Sequence, residues 1–348
     1  MNFRKILIIN PYGIGDVLFT TPLISNLRMA YPQASIAYLG NQRTADFLKF
    51  NKDIAQVFIY ERDEFVGKPS KYLELFNSIK QQGFEVVFDF SLNSSFGFLS
   101  VACGIKKRVG FDYRKRGRFL THRIPMLGFE EKHIVEYYLD LLRLMDIPVK
   151  TKQMKLDVPS QDINWAQEWL KSHEIDPAAR PLIAVLPGGG ASWGKAAGYK
   201  RWPTSHYAQL IDKIVENFDA AIILMGDSKE RELCLDVINQ AHFPIHFAVG
   251  ETSLLGLAAL LMQCQGAIVN DGGPLHVAEA VGVKTVSIFG PVDPQVYGPY
   301  PLVNHTVVQK GLPCQPCYRR FRMANCGHIN CLGELSVEEV YRKVQKIL

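Results

Sequence analysis

Gly266-Ala267-Ile268-Val269-Asn270-Asp271-Gly272-Gly273-Pro274-Leu275-His276 is the stretch that decides the fold. Its first five residues are apolar through the centre with no alternation, as expected of a strand covered on both faces in a parallel sheet. Asp271 ends the run, two glycines free the backbone, and Pro274 opens a helix, where its missing N–H costs nothing. A strand passing through a glycine turn into a helix is half of a βαβ unit, and the N–H groups at such a helix start favour phosphate or another anion. His276 falls in the first helical turn beside Asp271. It is read as facing a ligand, with a satisfied structural histidine as the alternative.

The same grammar runs outward in both directions. In the second half, strands are expected at Leu182 to Leu186, Ala220 to Met225 and Lys284 to Phe289, with helices at Pro203 to Asn217, Ser228 to Ala241, Ser253 to Cys264 and Pro274 to Val281. In the first half, strands at Lys5 to Asn10, Ser35 to Leu39, Gln56 to Tyr60 and Glu85 to Phe90 are separated by helices such as Asp16 to Ala30 and Pro69 to Gln82. Alternation of this kind specifies an α/β protein with parallel sheets. The chain has 348 residues, more than a single core usually supports. Pro148 to Asp162 lacks any period and reads as the connection between two domains. Ser336 with Glu339 three residues on is a capping box, so Ser336 to Leu348 is a terminal helix.

Composition narrows the class further. Apolar residues make up 47% and charged residues 21%, which places the chain among folded proteins. Ile6 to Ile9 is cut short by Asn10-Pro11, and no run approaches the about 18 apolar residues of a membrane span, so a cytoplasmic protein is expected. The net charge is +5, but eight basic residues crowd between Lys106 and Arg123 against the single acid Asp112. This stretch suits an acidic or phosphorylated partner or an anionic membrane surface, with a solvated loop as the alternative. No nucleic-acid-binding signature accompanies it, so nucleic acid is not an expected partner. Cys103, Cys234 and Cys264 read as core residues. Cys314, Cys317, Cys326 and Cys331 have the rhythm of a tetrahedral thiolate site for zinc or iron, with reduced structural cysteines as the other reading.

Three further segments bear on chemistry. Gly13-Ile14-Gly15-Asp16 follows the first strand and opens the first helix, so it is a ligand-facing loop. A dinucleotide fingerprint would need a third glycine where Leu18 stands and an acid after Leu39-Gly40, so a nicotinamide enzyme is disfavoured. Asp16 is either a helix-start acid favoured by the macrodipole or an ionised general base. Gly189 to Lys195 nearly spells a P-loop, but Ala196 stands where the metal-binding hydroxyl belongs. Gly188, Gly189 and Gly190 are therefore read as a loop approaching a diphosphate, with Lys200 or Lys195 adding charge. No D-x-D pair occurs, so positive side chains and helix starts must neutralise a leaving diphosphate.

Taken together, Asn10-Pro11 through Gly15-Asp16-Val17 with Thr21-Pro22, Pro187-Gly188 with Lys200-Arg201-Trp202-Pro203, the Asn270 to His276 turn, and Phe289-Gly290-Pro291-Val292-Asp293-Pro294 identify a resemblance. The chain resembles glycosyltransferase family 9, the bacterial heptosyltransferases of lipopolysaccharide core assembly. The likeness implies a GT-B fold of two facing Rossmann-like domains: residues 1–155 binding the acceptor, 156–334 binding the nucleotide sugar, and 335–348 a helix crossing back to the N-terminal domain. It implies inverting, metal-independent transfer of heptose from ADP-heptose, with no cofactor needed for catalysis. The acceptor it implies is an acidic inner-core glycolipid of Kdo-lipid A type at the inner membrane face, the enzyme being cytoplasmic or peripheral to that membrane. Carried over, Asp16 is the base and Lys200 the diphosphate ligand. Gly188, Gly189, Gly190, Glu230, Thr252, Asp271, Gly272, Gly273 and His276 line the donor site, and Gly13, Gly15, Lys107, Arg108, Arg114 and Arg116 the acceptor site. Gly272 departs from the Ser or Thr of many relatives, and Gly190 to Tyr199 is longer than in the shorter ones. Another nucleotide sugar, a protein acceptor, or a non-catalytic nucleotide-binding α/β protein are the alternative readings.

Overall fold

Ile6, Leu7, Ile8 and Ile9 have no accessible surface and form the centre of a sheet, as their unbroken apolar run requires. The computed structural model describes residues 2–189 and 191–348. It divides into two units, one ending at Asp157 and one spanning Val158–Leu348.

The first unit contains β1 (Lys5–Ile9), β2 (Ser35–Gly40), β3 (Gln56–Ile59), β4 (Val86–Asp89), β5 (Lys107–Tyr113) and β6 (His122–Met126). Its helices are α1 (Ile14–Ala30), α2 (Ala45–Lys49), α3 (Arg62–Phe65), α4 (Pro69–Gln82), α5 (Ser94–Ala102) and α6 (Ile134–Arg143). The strands run in the order β3-β2-β1-β4-β5-β6, every neighbouring pair parallel. β5 and β6 pair across the short Arg114 to Thr121 connection. There Gly117 donates its N–H to Asp112 at 2.9 Å, and a Cβ at Gly117 would come within 2.9 Å of Asp112.

Helix α1 tolerates Pro22 because its neighbours repair the ladder. Proline cannot donate to the carbonyl of Leu18, and the Thr21 hydroxyl takes that carbonyl instead at 2.7 Å. Thr21 also accepts the N–H of Lys155 at 3.0 Å. One turn later, buried Asn26 donates to the carbonyls of Pro22 and Thr151, both at 2.7 Å, and accepts the N–H groups of Lys150 and Thr151 at 2.6 and 3.2 Å. The segment that reads as a linker is thus fastened to α1 over its first part.

The second unit repeats the plan. Its strands are β7 (Leu182–Leu186), β8 (Ala221–Leu224), β9 (His246–Phe247), β10 (Gly266–Asn270), β11 (Lys284–Phe289) and β12 (His305–Gln309). Its helices are α7 (Ser160–Ser172), α8 (Thr204–Phe218), α9 (Arg231–Gln240), α10 (Leu254–Leu261), α11 (Gly273–Ala280), α12 (Pro294–Tyr297), α13 (Asn330–Gly333) and α14 (Val337–Val344). The order is β12-β11-β10-β7-β8-β9, again all parallel. Both sheets therefore have the doubly wound order in which connections reverse direction beside the first strand, between β1 and β4 and between β7 and β10. Ligands in such sheets bind outside the carboxyl ends of the strands at that reversal.

The terminal helix α14 has its capping box from Ser336 and Glu339 and packs on α8, β11 and β12. Val340, Val344 and Ile347 enter the second unit's own core beside Ile214 and Val286, because they share one face of the helix. No described helix is long and apolar enough to cross a membrane.

Candidate active site

In the second unit, Asn270 fastens the reversal point. Its side-chain amide donates to the carbonyls of Pro187 and Gly188 at 2.7 and 2.9 Å, and its oxygen accepts the Trp202 N–H at 3.3 Å. The glycine loop after β7 is thereby held beside the Asp271 turn after β10. Asp271 and Lys200 are 3% and 8% exposed, and Lys200 Nζ lies 2.7 Å from Asp271 Oδ2. That oxygen has no well-aligned hydrogen bond, so the ammonium is what it faces. On its other side Lys200 sits 4.3 Å above the Trp193 ring. Lys195 is exposed, so of the two lysines near the loop Lys200 is the one the fold brings to the turn. The P-loop resemblance goes no further, since Ala191–Lys200 is a broken 3₁₀ segment interrupted at Gly194.

α11 begins at Gly273, with Gly272 capping it and Pro274 in its first turn. Its open N–H groups and half-charge face the turn that holds Lys200. His276 is 4% exposed, and its Nδ1 is 3.2 Å from Glu279 Oε2. Burial drives the imidazole pKa down to about 4, with Asp271 opposing and Lys200 assisting. Burial also lifts the Glu279 carboxyl to about 9, against the pull of the Tyr300 N–H. Near neutrality the pair is therefore a hydrogen bond between two uncharged groups. Tyr300 donates to Glu279 Oε1. His305, bonded through Nδ1 to Thr285 at 3.0 Å, is likewise held down to about 4 by burial and by His276.

Glu230 lies against the same glycine loop. It accepts the Gly189 N–H at 2.7 Å and the Asp227 N–H at 3.1 Å, and a Cβ on Gly188 would come within 2.1 Å of its carboxyl carbon. Only glycine lets the strand end approach it. Thr252 is half-buried and immediately precedes Ser253, the cap of α10. Gly190 lies outside the described residues.

In the first unit, Gly13 caps α1 and half-buried Asp16 lies in its first turn. The loop is set by Asn10, whose side chain accepts the Tyr12 N–H at 3.2 Å and donates to the Asp16 carbonyl at 3.0 Å. The Tyr12 hydroxyl donates to the carbonyl of Ser91. Burial raises its pKa, Asp16 and Asp89 raise it further, and Arg116 opposes them. Asp89, at the end of β4, is buried and lifted to about 6 by desolvation, with the Ser91 N–H pulling the other way. The reversal point of this unit thus gathers two carboxylates and, from the β5–β6 connection, an arginine.

The basic stretch does not act as one patch. β5 separates its ends by roughly 20 Å of extended chain. Lys107 and Arg108 start the strand, with Lys107 over the Phe3 ring at 5.9 Å and Arg108 donating to the Phe119 and Ile105 carbonyls at 2.6 and 2.5 Å. Arg114 and Arg116 follow its carboxyl end, both exposed and over Tyr113 at 5.0 and 5.6 Å. Only the latter pair lies at the end of the sheet that holds Gly13, Gly15 and Asp16.

The four C-terminal cysteines are free thiols. Burial raises Cys331 to about 11, and Cys317, Cys326 and Cys314 add to that rise. Yet no group of three or more His, Cys, Asp or Glu among the described residues is arranged to hold a metal, so the zinc or iron expectation gains no support. Their segment is instead a wall of the Lys200 turn: Tyr318 packs 4.9 Å from Trp193, and Tyr199 donates to the Cys326 carbonyl at 2.9 Å.

Three residues at these sites escape the sequence reading. Glu279 was open to discovery, since a position three after His276 shares its helix face. Asp89 lies inside an expected strand with no glycine beside it to mark a turn, and His305 lies on a strand that was not expected.

The model of the family described as glycosyltransferase family 9 (heptosyltransferase) matches residues 72–328. Lipooligosaccharide heptosyltransferase 2 of Campylobacter jejuni is 24% identical, covering 99% of both chains. A family 9 glycosyl transferase from Veillonella parvula superposes with a TM-score of 0.86 at 22% identity, covering 99% of this chain and 97% of its own. The Escherichia coli heptosyltransferase WaaC, solved with ADP, gives 0.71 at 17% identity over 99% and 100%.

Proposed function

The chain belongs to glycosyltransferase family 9, and from that premise we propose that it moves heptose from ADP-heptose to an acidic inner-core lipopolysaccharide acceptor, with inversion and without a metal. The observation that carries this reading is the buried Lys200–Asp271 pair, 2.7 Å apart, beside the open start of α11. A diphosphate brought there meets an ammonium and a helix N-terminus, with His276 in the first turn of that helix. These are the groups that a leaving nucleoside diphosphate needs when no carboxylate-bound cation supplies the charge. The ADP in the Escherichia coli relative's structure supports the choice of nucleotide.

In the reaction, an acceptor hydroxyl attacks the anomeric carbon while the bond to the diphosphate oxygen breaks. The proton passes to the Asp16 carboxylate and the electron pair leaves with ADP, where Lys200 balances the new charge. Gly188, Gly189, Glu230, Thr252, Gly272 and Gly273 complete the donor site, and Gly13, Gly15, Arg114 and Arg116 meet the acidic acceptor. The enzyme works at the cytoplasmic face of the inner membrane, as a peripheral protein.

Thermal denaturation with ADP, UDP, GDP and CMP tests the nucleotide, because a ligand bound only by the native state raises the melting temperature. ADP is expected to give the largest rise, and a rise with UDP or GDP but not ADP would sink the heptose reading. Asp16→Asn is expected to lower transfer about 10²- to 10⁴-fold while keeping the ADP response. Full activity in that variant would remove Asp16 from the role of base.

A further inference from the structure

The first unit carries an apolar groove of about 890 Å³ between α4, α5 and the β5–β6 connection. Tyr72, Leu73, Phe76, Phe98, Leu99 and Phe119 line it, together with Arg118. Leu73 and Phe98 are each 58% exposed. Amphipathic helices usually turn such residues inward, and large apolar side chains gathered on an open surface mark an interaction site. The apolar and cationic parts are continuous: the Phe98 ring lies 5.6 Å from Phe119, and the Arg118 guanidinium lies 4.8 Å over Phe119. Arg114, Lys115 and Arg116 extend the charge along the same connection, all exposed. Its own acid, Asp112, is occupied by Arg123 at 3.4 Å and by the Gly117 N–H.

We propose that this groove and the basic connection beside it form a docking surface for an anionic lipid bilayer. Aromatic and aliphatic side chains on an open rim enter the boundary between headgroups and acyl chains. Arginines on aromatic rings beside them reach lipid phosphates while their stems stay on apolar surface. The charge complementarity decides the occupant: an exposed apolar rim bordered on one side by several cations matches a negatively charged surface of apolar depth. The proposal rests on the glycolipid reading for its purpose and on the groove alone for its physics.

The test sediments the full-length protein with vesicles of neutral phosphatidylcholine and with vesicles carrying about one-third phosphatidylglycerol, at low and high salt. Binding is expected to the anionic vesicles only and to weaken with salt. Leu73→Asp with Phe98→Asp is expected to lower the bound-to-free ratio at least about tenfold, since two exposed anchors are lost. Arg118→Glu should lower it about fivefold or more. Because Arg118 is exposed, this second variant stays informative if the first melts early. Equal binding to neutral vesicles, no binding at low salt, or variants that sediment like the native protein would overturn the proposal. Sugar transfer to a deacylated, soluble acceptor is measured in parallel and should be unchanged in the Leu73/Phe98 variant. Transfer without vesicle binding refutes the docking surface alone, and vesicle binding without transfer refutes the glycosyl-transfer reading alone.

Discussion

Glu279 sits three residues after His276 on α11, and each is buried against the other with Nδ1 and Oε2 3.2 Å apart. An acid whose folded pKa is raised keeps its proton in the native state over a range where the unfolded chain has lost it. The stability so gained is complete below about 4.5 and disappears as pH rises through about 9. Between pH 7 and 9 the native state binds one more proton than the unfolded state, so stability falls with pH, with a slope approaching about 1.4 kcal/mol per pH unit from this group. His276 and His305 do not contribute there, since their lowered pKa values of about 4 place their window on the acid side of neutrality. Glu279→Gln reproduces the neutral acid, an amide donor toward Nδ1 and an oxygen toward the Tyr300 N–H. We predict that urea denaturation finds this variant more stable than the native protein at pH 7 and, by a wider margin, at pH 9. Parallel pH profiles for the two proteins would mean that Glu279 is ionised in the fold. The aspartate, lysine and histidine of this site were readable because glycine and proline mark their turns, whereas the acid bonded to the histidine has no such marker.

At the scale of elements, the strands visible in the sequence were mostly those covered on both faces, the edge strand β3 excepted. β1, β7 and β10 are continuous apolar runs, and their burial leaves no alternation to misread. The unexpected ones lie at or beside the edges: β6, β9 and β12, with β5 next to β6. β5 opens with Lys107-Arg108 and holds Asp112, β6 contains Pro125, which an edge strand tolerates, and β9 has only two residues. A charged edge strand offers too little apolar pattern to separate it from a basic loop, so Lys107 and Arg108 were grouped with Arg114 and Arg116. The linker shows the same limit, because nothing in Pro148 to Asp157 reveals that Thr21 and Asn26 bind its backbone. Asn26→Ala removes four hydrogen bonds, two of them to carbonyls at 2.7 Å, in a site that is 1% exposed. We predict a loss of about 2–3 kcal/mol, measured by chemical denaturation, with early proteolysis between Pro148 and Asp157. A change under about 0.5 kcal/mol would show that the linker is held by other contacts.

At the scale of the whole molecule, each unit closes its own sheet, and the second does so with elements from both of its ends. α7, first in the unit, packs on α10, where Trp169 donates to Glu251 at 2.8 Å and the Trp165 ring fills the space beside Gly256. The last residues of the chain enter the core that α8 helps to form, where Trp202 donates to the Leu335 carbonyl at 2.9 Å and Val340, Val344 and Ile347 join Ile183, Ile222 and Val286. The terminal helix therefore stabilises the unit that holds Lys200, Asp271 and His276, and a chain cut between Asp157 and Val158 should keep that site intact. We predict that Val158–Leu348 alone folds cooperatively and that ADP raises its melting temperature, with a Kd within about tenfold of the full chain, a difference of about 1.4 kcal/mol. The same fragment ended at Leu335 should unfold at room temperature, because it loses an apolar helix face that covers β11 and β12. If the longer fragment melts without cooperativity, or folds but gives no response to ADP while the full chain responds, the donor site is not the property of this unit.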